Sequence, residues 1–242
     1  MLHVVDVGVM PYRRAWDMQL ALHDEVLAGA HAAGALMLVE HPPVITIGRR
    51  PEAGRHLLAS PAALEVRGVE VVETDRGGDI TFHGPGQLVA YPIVPLNRYG
   101  FNLHSYMRFL EEVVIGTLGA FGVEGVRDPS PKPATGVWVE VKGERRKTKD
   151  ESPHEEGVRL AKICALGIKV RRWVTLHGIA LNVRTDLSFF ELINPCGLSR
   201  PVTSMQKVLG KGMREMGAVK ETFVRVLEER LSQINGNTDA DN

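Results

Sequence analysis

Cys196 stands in the segment Leu192-Ile193-Asn194-Pro195-Cys196-Gly197-Leu198. The proline fixes the chain before the cysteine and the glycine frees it after, which favours a thiol displayed on a turn over one packed in a core. Cysteine is the best intrinsic side-chain nucleophile, yet at a reference pKa of about 8.5 only a few per cent is thiolate at neutral pH. Acyl transfer from such a position therefore needs a nearby cation to hold the thiolate. Taken alone, the segment equally fits a structural thiol in a turn.

A cation of the right kind is Lys162, which opens the run Lys162-Ile163-Cys164-Ala165-Leu166-Gly167-Ile168. A lysine among small and apolar strand residues is costly unless its charge is used or its pKa falls. Beside Cys196 it could pair with the thiolate and then relay a proton as general acid and base; by itself it could also snorkel to water from a strand end. Four glycines, an arginine and a histidine crowd into Arg76–Gln87. Such a run can mould main-chain N–H groups around a substrate or form a plain glycine-turned hairpin. The segment Thr175–Val183 places Gly178 and Ala180 on one strand face, which leaves either a groove that an extended chain could fill or only weak packing beside a bulky neighbour.

The elements that must carry these residues follow from pattern. Leu2–Val7 reads as a strand, followed by a helix from Tyr12 to about Ala30 with Tyr12, Trp16, Leu20 and Leu27 on its buried face. Ala35–Glu40 and Val44–Gly48, separated by His41-Pro42-Pro43, have hairpin-like punctuation. Ser60-Pro61 caps a short helix. Strands are expected at Val69–Val72 and Leu88–Val94, followed by the strongest helix, which starts near Asn102 with a stripe from Leu103 to Phe121 and a stop at Gly122. Strands at Val137–Val141, Leu160–Val170 and Trp173–Val183 and a last amphipathic helix around Val219–Leu231 complete the order. Ten of the sixteen residues of Lys142–Gly157 are charged, so this stretch reads as a solvated, mobile hairpin tip, and 235–242 as a frayed tail. Strands and helices mix without strict alternation. The fold class is α+β (mixed α/β), with 1–234 as one domain on a largely antiparallel sheet.

Composition narrows the function classes. The 242 residues carry 29 Lys plus Arg against 29 Asp plus Glu, a balance that gives no footprint for nucleic acid or anionic membrane. No apolar run approaches the roughly 20 residues of a membrane span, and the N-terminus lacks a secretory pattern. Two cysteines, Cys164 and Cys196, do not make a disulfide framework. A cytoplasmic protein is expected, and a monomer, since no extra apolar face stands out.

Read in order, RGGDITFHGPGQLVAYPI (Arg76–Ile93), GVWV (Gly136–Val139), KICALGIKV (Lys162–Val170), TLHGIALNV (Thr175–Val183) and INPCGL (Ile193–Leu198) closely resemble the lipoyl(octanoyl) transferase family of lipoate biosynthesis. The resemblance implies the fold of the biotin and lipoate protein ligases. It also implies transfer of an octanoyl group from octanoyl-acyl carrier protein to a lysine of a lipoyl domain, through a thioester on the enzyme's cysteine. The acceptors would be the lipoyl domains of 2-oxoacid dehydrogenases and the glycine cleavage H protein. By motif, Cys196 and Lys162 carry the catalytic roles. Arg76, Gly77, Gly78, Asp79, Ile80, Thr81, Phe82, His83, Ala165, Leu166, Gly167, Gly178, Ile179 and Ala180 line the substrate. No metal, cofactor or ATP is implied, because a thioester is already activated. The same Arg76-Gly77-Gly78 would suit an ATP-dependent lipoate or biotin ligase, and the groove a non-catalytic acyl-binding module. The NPCG turn argues for the transferase. Cys164 is expected to be a buried spectator, with a Cys164–Cys196 disulfide as the sharper alternative. The length of the charged 142–157 tip is the clear departure from the family pattern.

Overall fold

A computed structural model describes residues 1–131, 133–142, 158–194 and 200–238. Ten strands and five α-helices follow one another as β1 (His3–Val9), α1 (Tyr12–Leu27), β2 (Ala35–Glu40), β3 (Val44–Ile47), α2 (Pro61–Val66), β4 (Glu70–Glu73), β5 (Ile80–His83), β6 (Gln87–Ile93), α3 (Leu103–Gly119), β7 (Gly125–Val126), β8 (Val137–Lys142), β9 (Val158–Arg171), β10 (Val174–Asn182), α4 (Met205–Leu209) and α5 (Met216–Thr238) among the described residues. Seven strands form the main sheet in the order β1-β2-β6-β10-β9-β8-β7, antiparallel throughout except for β1 on β2. Three more, β4-β3-β5, form a small second sheet. The α+β expectation with a largely antiparallel sheet holds.

Both faces of the main sheet are buried, and the strand period of two decides which residue goes where. Leu36, Leu38, Leu88 and Ala90 point to one core with Tyr106, Leu110 and Val114 of α3 and Phe223 and Leu227 of α5. Met37, Val39, Val89 and Tyr91 alternate with them and meet Ala15, Leu22 and Val26 of α1 on the other face. The α3 start is fixed by a capping box, in which Asn102 accepts from Ser105 N and Ser105 Oγ from Asn102 N. Ser60 caps α2 by accepting from Ala63 N, with Pro61 at the first helical position.

Four expectations change. Ala35–Glu40 and Val44–Ile47 are strands but not a hairpin: β2 pairs with β1 and β6 in the main sheet, and β3 with β4 and β5 in the small one. His41 holds the crossover between them, one ring nitrogen on Met10 O at 2.8 Å and the other on Tyr91 Oη at 2.8 Å. The buried face of α1 is Tyr12, Ala15, Gln19, Leu22, His23 and Val26, rotated from the expected stripe. Main-chain groups take up one polar atom of each buried Gln19 and His23: His177 N donates to Gln19 Oε1, and His23 Nε2 meets Arg171 O. On α3, Leu103 is exposed while Glu111 is buried. Finally, α5 runs to Thr238, into the stretch that reads as tail, and the charged segment 143–157 lies outside the described residues.

Candidate active site

A cavity of about 640 Å³ opens between the small sheet and the face of the main sheet that carries Val89, Tyr91 and Ala180. Its walls include Arg76, Gly77, Gly78, Asp79, Ile80, Thr81 and His83 from the glycine-rich segment, Lys162, Ala165, Leu166 and Gly167 from β9, and Gly178, Ile179 and Ala180 from β10. Every substrate-lining position expected from sequence is there except Phe82. Phe82 packs into the core of the small sheet, where its buried ring stacks on Phe189 at 4.7 Å between centroids.

The glycines serve packing as much as access. Gly77 N donates to Ile168 O at 2.9 Å, binding the loop to β9. A Cβ on Gly167 would meet Gly77 O at 2.9 Å, so the two backbones lie side by side only because neither carries a side chain. Gly178 is filled from behind: a Cβ there would sit 2.1 Å from Ala90 O. The groove beside Ala180 is therefore shaped by Ala165, its partner across the β9–β10 pair, rather than by an empty position 178.

Lys162 lies at the near end of the cavity. A bulge shifts the β8–β9 register between Val137↔Cys164 and Trp138↔Lys162, breaking the alternation that would give Lys162 and Cys164 one face. Cys164 goes into the main core, fully buried, and its thiol is pushed up by that burial. Lys162 instead lines the cavity, its Nζ donating to Thr135 O at 3.1 Å and standing 4.7 Å above the ring of Trp138. Arg200 approaches the same ring at 5.1 Å.

Cys196 lies outside the described residues, as does any bond between it and Cys164. The chain on both sides of it is described. Before it, Asn194 N donates to His56 O at 2.8 Å, and His56 Nδ1 is held by the buried Asp79 at 2.7 Å. After it, Arg200 pairs with Asp128 at 2.7 Å, and Pro201–Thr203 runs parallel to β9, with Lys162 N donating to Pro201 O and Thr203 N to Lys162 O at 2.9 Å each. Asp128 also accepts from Ala134 N and Ser130 N. Burial pulls its carboxyl upward, but these backbone bonds and Arg200 outweigh it and hold the pKa down at about 2.

A buried polar chain ties the glycine-rich segment to Lys162. His83 Nδ1 meets Gln87 Oε1 at 2.8 Å, Gln87 Nε2 donates to Asn182 Oδ1 at 2.9 Å, and Asn182 Nδ2 donates to Thr203 O at 3.0 Å. Arg76 is anchored on Thr46, donating to its carbonyl at 2.8 Å and to its hydroxyl. Burial, reinforced by His41 and Arg76, drives the His83 pKa well down, so the ring is neutral and acts as a hydrogen-bonding post.

The far end is closed by Tyr12, Tyr91 and His177. His177 takes a left-handed φ of +60°, rare for a non-glycine residue, and its N–H and ring are both held: Gln19 takes the N–H, and Asp75 Oδ1 lies 2.7 Å from Nε2. The His177 bond, aided by Lys169, holds the Asp75 carboxyl well below its usual range. From Leu181↔Cys164 to His177↔Ile168 the strand pair advances about 13 Å along this wall of the cavity. Sequence reading missed Tyr12, Tyr91, His177, Gln87 and Asn182 as lining residues, although the glycine after His177 was a hint that the strand is distorted there.

Residues 11–228 match the family model described as the lipoyl protein ligase A/B catalytic domain. The chain is 45% identical over 202 residues to an octanoyltransferase of Gloeobacter violaceus, covering 84% of this chain and 78% of that one. It is 46% identical over 214 residues to an octanoyltransferase of Chloroflexus aggregans, covering 87% and 86%. This chain belongs to the octanoyltransferase family. The fold is shared with more distant solved structures. A bipartite lipoate protein ligase of Thermoplasma acidophilum, solved in a study that included its E2 lipoyl domain, superposes with a TM-score of 0.65 at 16% identity, covering 96% of this chain and 84% of that one. Among the described residues no group of histidines, cysteines and carboxylates could hold a metal ion, and no helix is long and apolar enough to cross a membrane.

Proposed function

We propose that this octanoyltransferase moves an octanoyl group from octanoyl-acyl carrier protein to a lysine of a lipoyl domain through a thioester on Cys196, with Lys162 as its proton partner. The observation that carries the reading is the pinning of the chain around Cys196 to Lys162. Pro201 and Thr203 bond both main-chain groups of Lys162, and Arg200 shares the Trp138 ring with its ammonium. Asn194 and Arg200, the described residues on either side of 195–199, are both tied down, to His56 and to Asp128, which supports pairing that cysteine with Lys162.

The chemistry balances without a cofactor. A Cys196 thiolate, paired with the Lys162 ammonium, attacks the donor's thioester carbonyl, and the carrier thiol leaves with the lysine's proton. The neutral acceptor amine then attacks the Cys196 thioester and passes its proton to the now neutral Lys162, while the thiolate is expelled. The amide forms and the ion pair is restored. Thioester exchange is near thermoneutral and aminolysis is downhill, so ATP has no part. The slot from Lys162 to His177 takes the alkyl chain along Ala165, Leu166, Ile179 and Ala180.

Intact-mass spectrometry after incubation with octanoyl-carrier protein tests this directly. One octanoyl adduct is expected, absent in Cys196→Ala, and discharged onto a lipoyl domain without ATP. A requirement for ATP and free octanoate would replace the reading with a ligase, and the absence of an adduct would replace it with a binding module.

A further inference from the structure

The main-chain amide between Thr135 and Gly136 is bonded at both ends by charged side chains. Its carbonyl, Thr135 O, accepts from Lys162 Nζ at 3.1 Å. Its N–H, on Gly136, donates to Glu111 Oε1 at 3.1 Å. One planar peptide unit thus lies between a carboxylate on α3 and the ammonium at the end of the cavity. A carboxylate on the N–H end polarises the carbonyl at the other end, and hydrogen bonds in such a chain strengthen one another. Gly136 is what makes the placement possible: its φ is +141°, and a Cβ would meet Cys164 O at 2.8 Å and Lys162 Cε at 3.1 Å.

The two oxygens of Glu111 divide their work. Oε2 takes Arg108 at 2.7 Å and Arg127 at 3.2 Å, leaving Oε1 for the peptide. The carboxylate side chain is 1% exposed, whereas the arginine side chains beyond it are 34% and 38% exposed. Water screens the guanidinium groups more than it screens the buried oxygen, so the carboxylate dominates at the peptide. Among the described residues, the groups near Lys162 include Cys164 on its own strand, Trp138 on β8, and Arg200, which is itself paired with Asp128.

We propose that Glu111 is a positioning residue that stabilises the charged form of Lys162 through the Thr135–Gly136 peptide. Its catalytic consequence rests on the transferase reading: Lys162 must start each cycle as an ammonium, and Glu111 raises the pH up to which it does.

The test is a titration of the Lys162 Nζ resonance in lysine-labelled protein, assigned by its loss in Lys162→Arg, alongside the pH profile of kcat/KM. In Glu111→Gln the midpoint is expected to fall by on the order of one pH unit, and the basic limb of the profile to fall with it. Glu111→Asp keeps the charge but withdraws it from Gly136 N, so a relay through the peptide leaves its midpoint low as well. If Glu111→Gln fails to fold, Arg127→Met decides the matter: losing one cation beside the carboxylate is expected to raise the midpoint. An unmoved Lys162 midpoint in folded Glu111→Gln or in Arg127→Met overturns the proposal, as does full restoration by Glu111→Asp. A wild-type enzyme that forms no octanoyl adduct would sink the transferase reading while leaving the shift of the lysine resonance to stand.

Discussion

Asp79 Oδ1 and His56 Nδ1 are 2.7 Å apart, and the carbonyl of that same histidine takes the N–H of Asn194, two residues before Cys196. A residue of the glycine-rich segment that also lines the cavity thereby fixes the chain just before Cys196. Truncating His56 to alanine removes the anchor and leaves Asp79 with Ile80 N and the longer contact to Arg50 at 3.6 Å. Under the transferase reading, kcat for acyl-enzyme formation is expected to fall about tenfold, since a nucleophile displaced by a fraction of an ångström loses its attack geometry. KM for the donor should stay within about twofold and stability fall by about 1 kcal/mol. Stopped-flow measurement of adduct formation beside urea unfolding checks both. An unchanged kcat would mean that this stretch holds itself.

Gly136 cannot take a side chain without moving Lys162. A Gly136→Ala variant meets a strained φ of +141° and close contacts with Cys164 O and Lys162 Cε. A cost of about 1–3 kcal/mol is expected from the backbone alone. Loss of turnover should exceed what that destabilisation explains, because the lysine is pushed off Thr135 O. Urea denaturation and single-turnover transfer at a temperature where the variant is folded give the comparison. Wild-type turnover would show that Lys162 tolerates displacement.

Much of this site is legible in residue types and order. Lys162, the glycine-rich segment and the β9 and β10 positions converge on one cavity, and the capped starts of α2 and α3 follow from Ser60-Pro61 and from Asn102 with Ser105. What escapes pattern reading is polar burial. Gln19 and His23 look like solvent residues until the main-chain groups of His177 and Arg171 take them up from across the sheet. Glu111 interrupts an apolar stripe for a similar reason, since its partners are Arg108 one turn away, Arg127 and the N–H of Gly136. The split of β2 and β3 between two sheets is equally invisible locally, because both readings have the same strands and the same punctuation.

Chain-length selection offers a further test of the slot. Ala165 and Ala180 face each other across the β9–β10 pair and border the cavity midway between Lys162 and His177. Ala165→Leu adds three carbons to that wall and is expected to favour butyryl over octanoyl donors. The ratio of their kcat/KM values should shift by about tenfold or more, since each lost methylene site is worth on the order of 1 kcal/mol. Steady-state assays with butyryl-, hexanoyl- and octanoyl-carrier protein measure it. An equal loss for all three chain lengths would place the alkyl chain elsewhere.

Asp128 gives a stability prediction with a definite sign. Its carboxyl is held at about 2 against an ordinary 3.8, so the folded protein favours the ionised form more than the unfolded chain does. A depressed folded-state pKa contributes stability that is fully present above the unfolded value and is lost as pH falls through the folded one. Asp128→Asn cannot ionise and lacks that contribution at every pH. The wild type is therefore expected to exceed the variant by a constant margin from neutrality down to about pH 5, with the margin closing between about 4 and 2 as Arg200 and the Ser130 and Ala134 amides lose their charged acceptor. Urea midpoints for both proteins across that range supply the measurement. A margin that stays constant to the acid end would mean that Asp128 contributes through shape and neutral hydrogen bonds, and that the Arg200 tie does not depend on its charge.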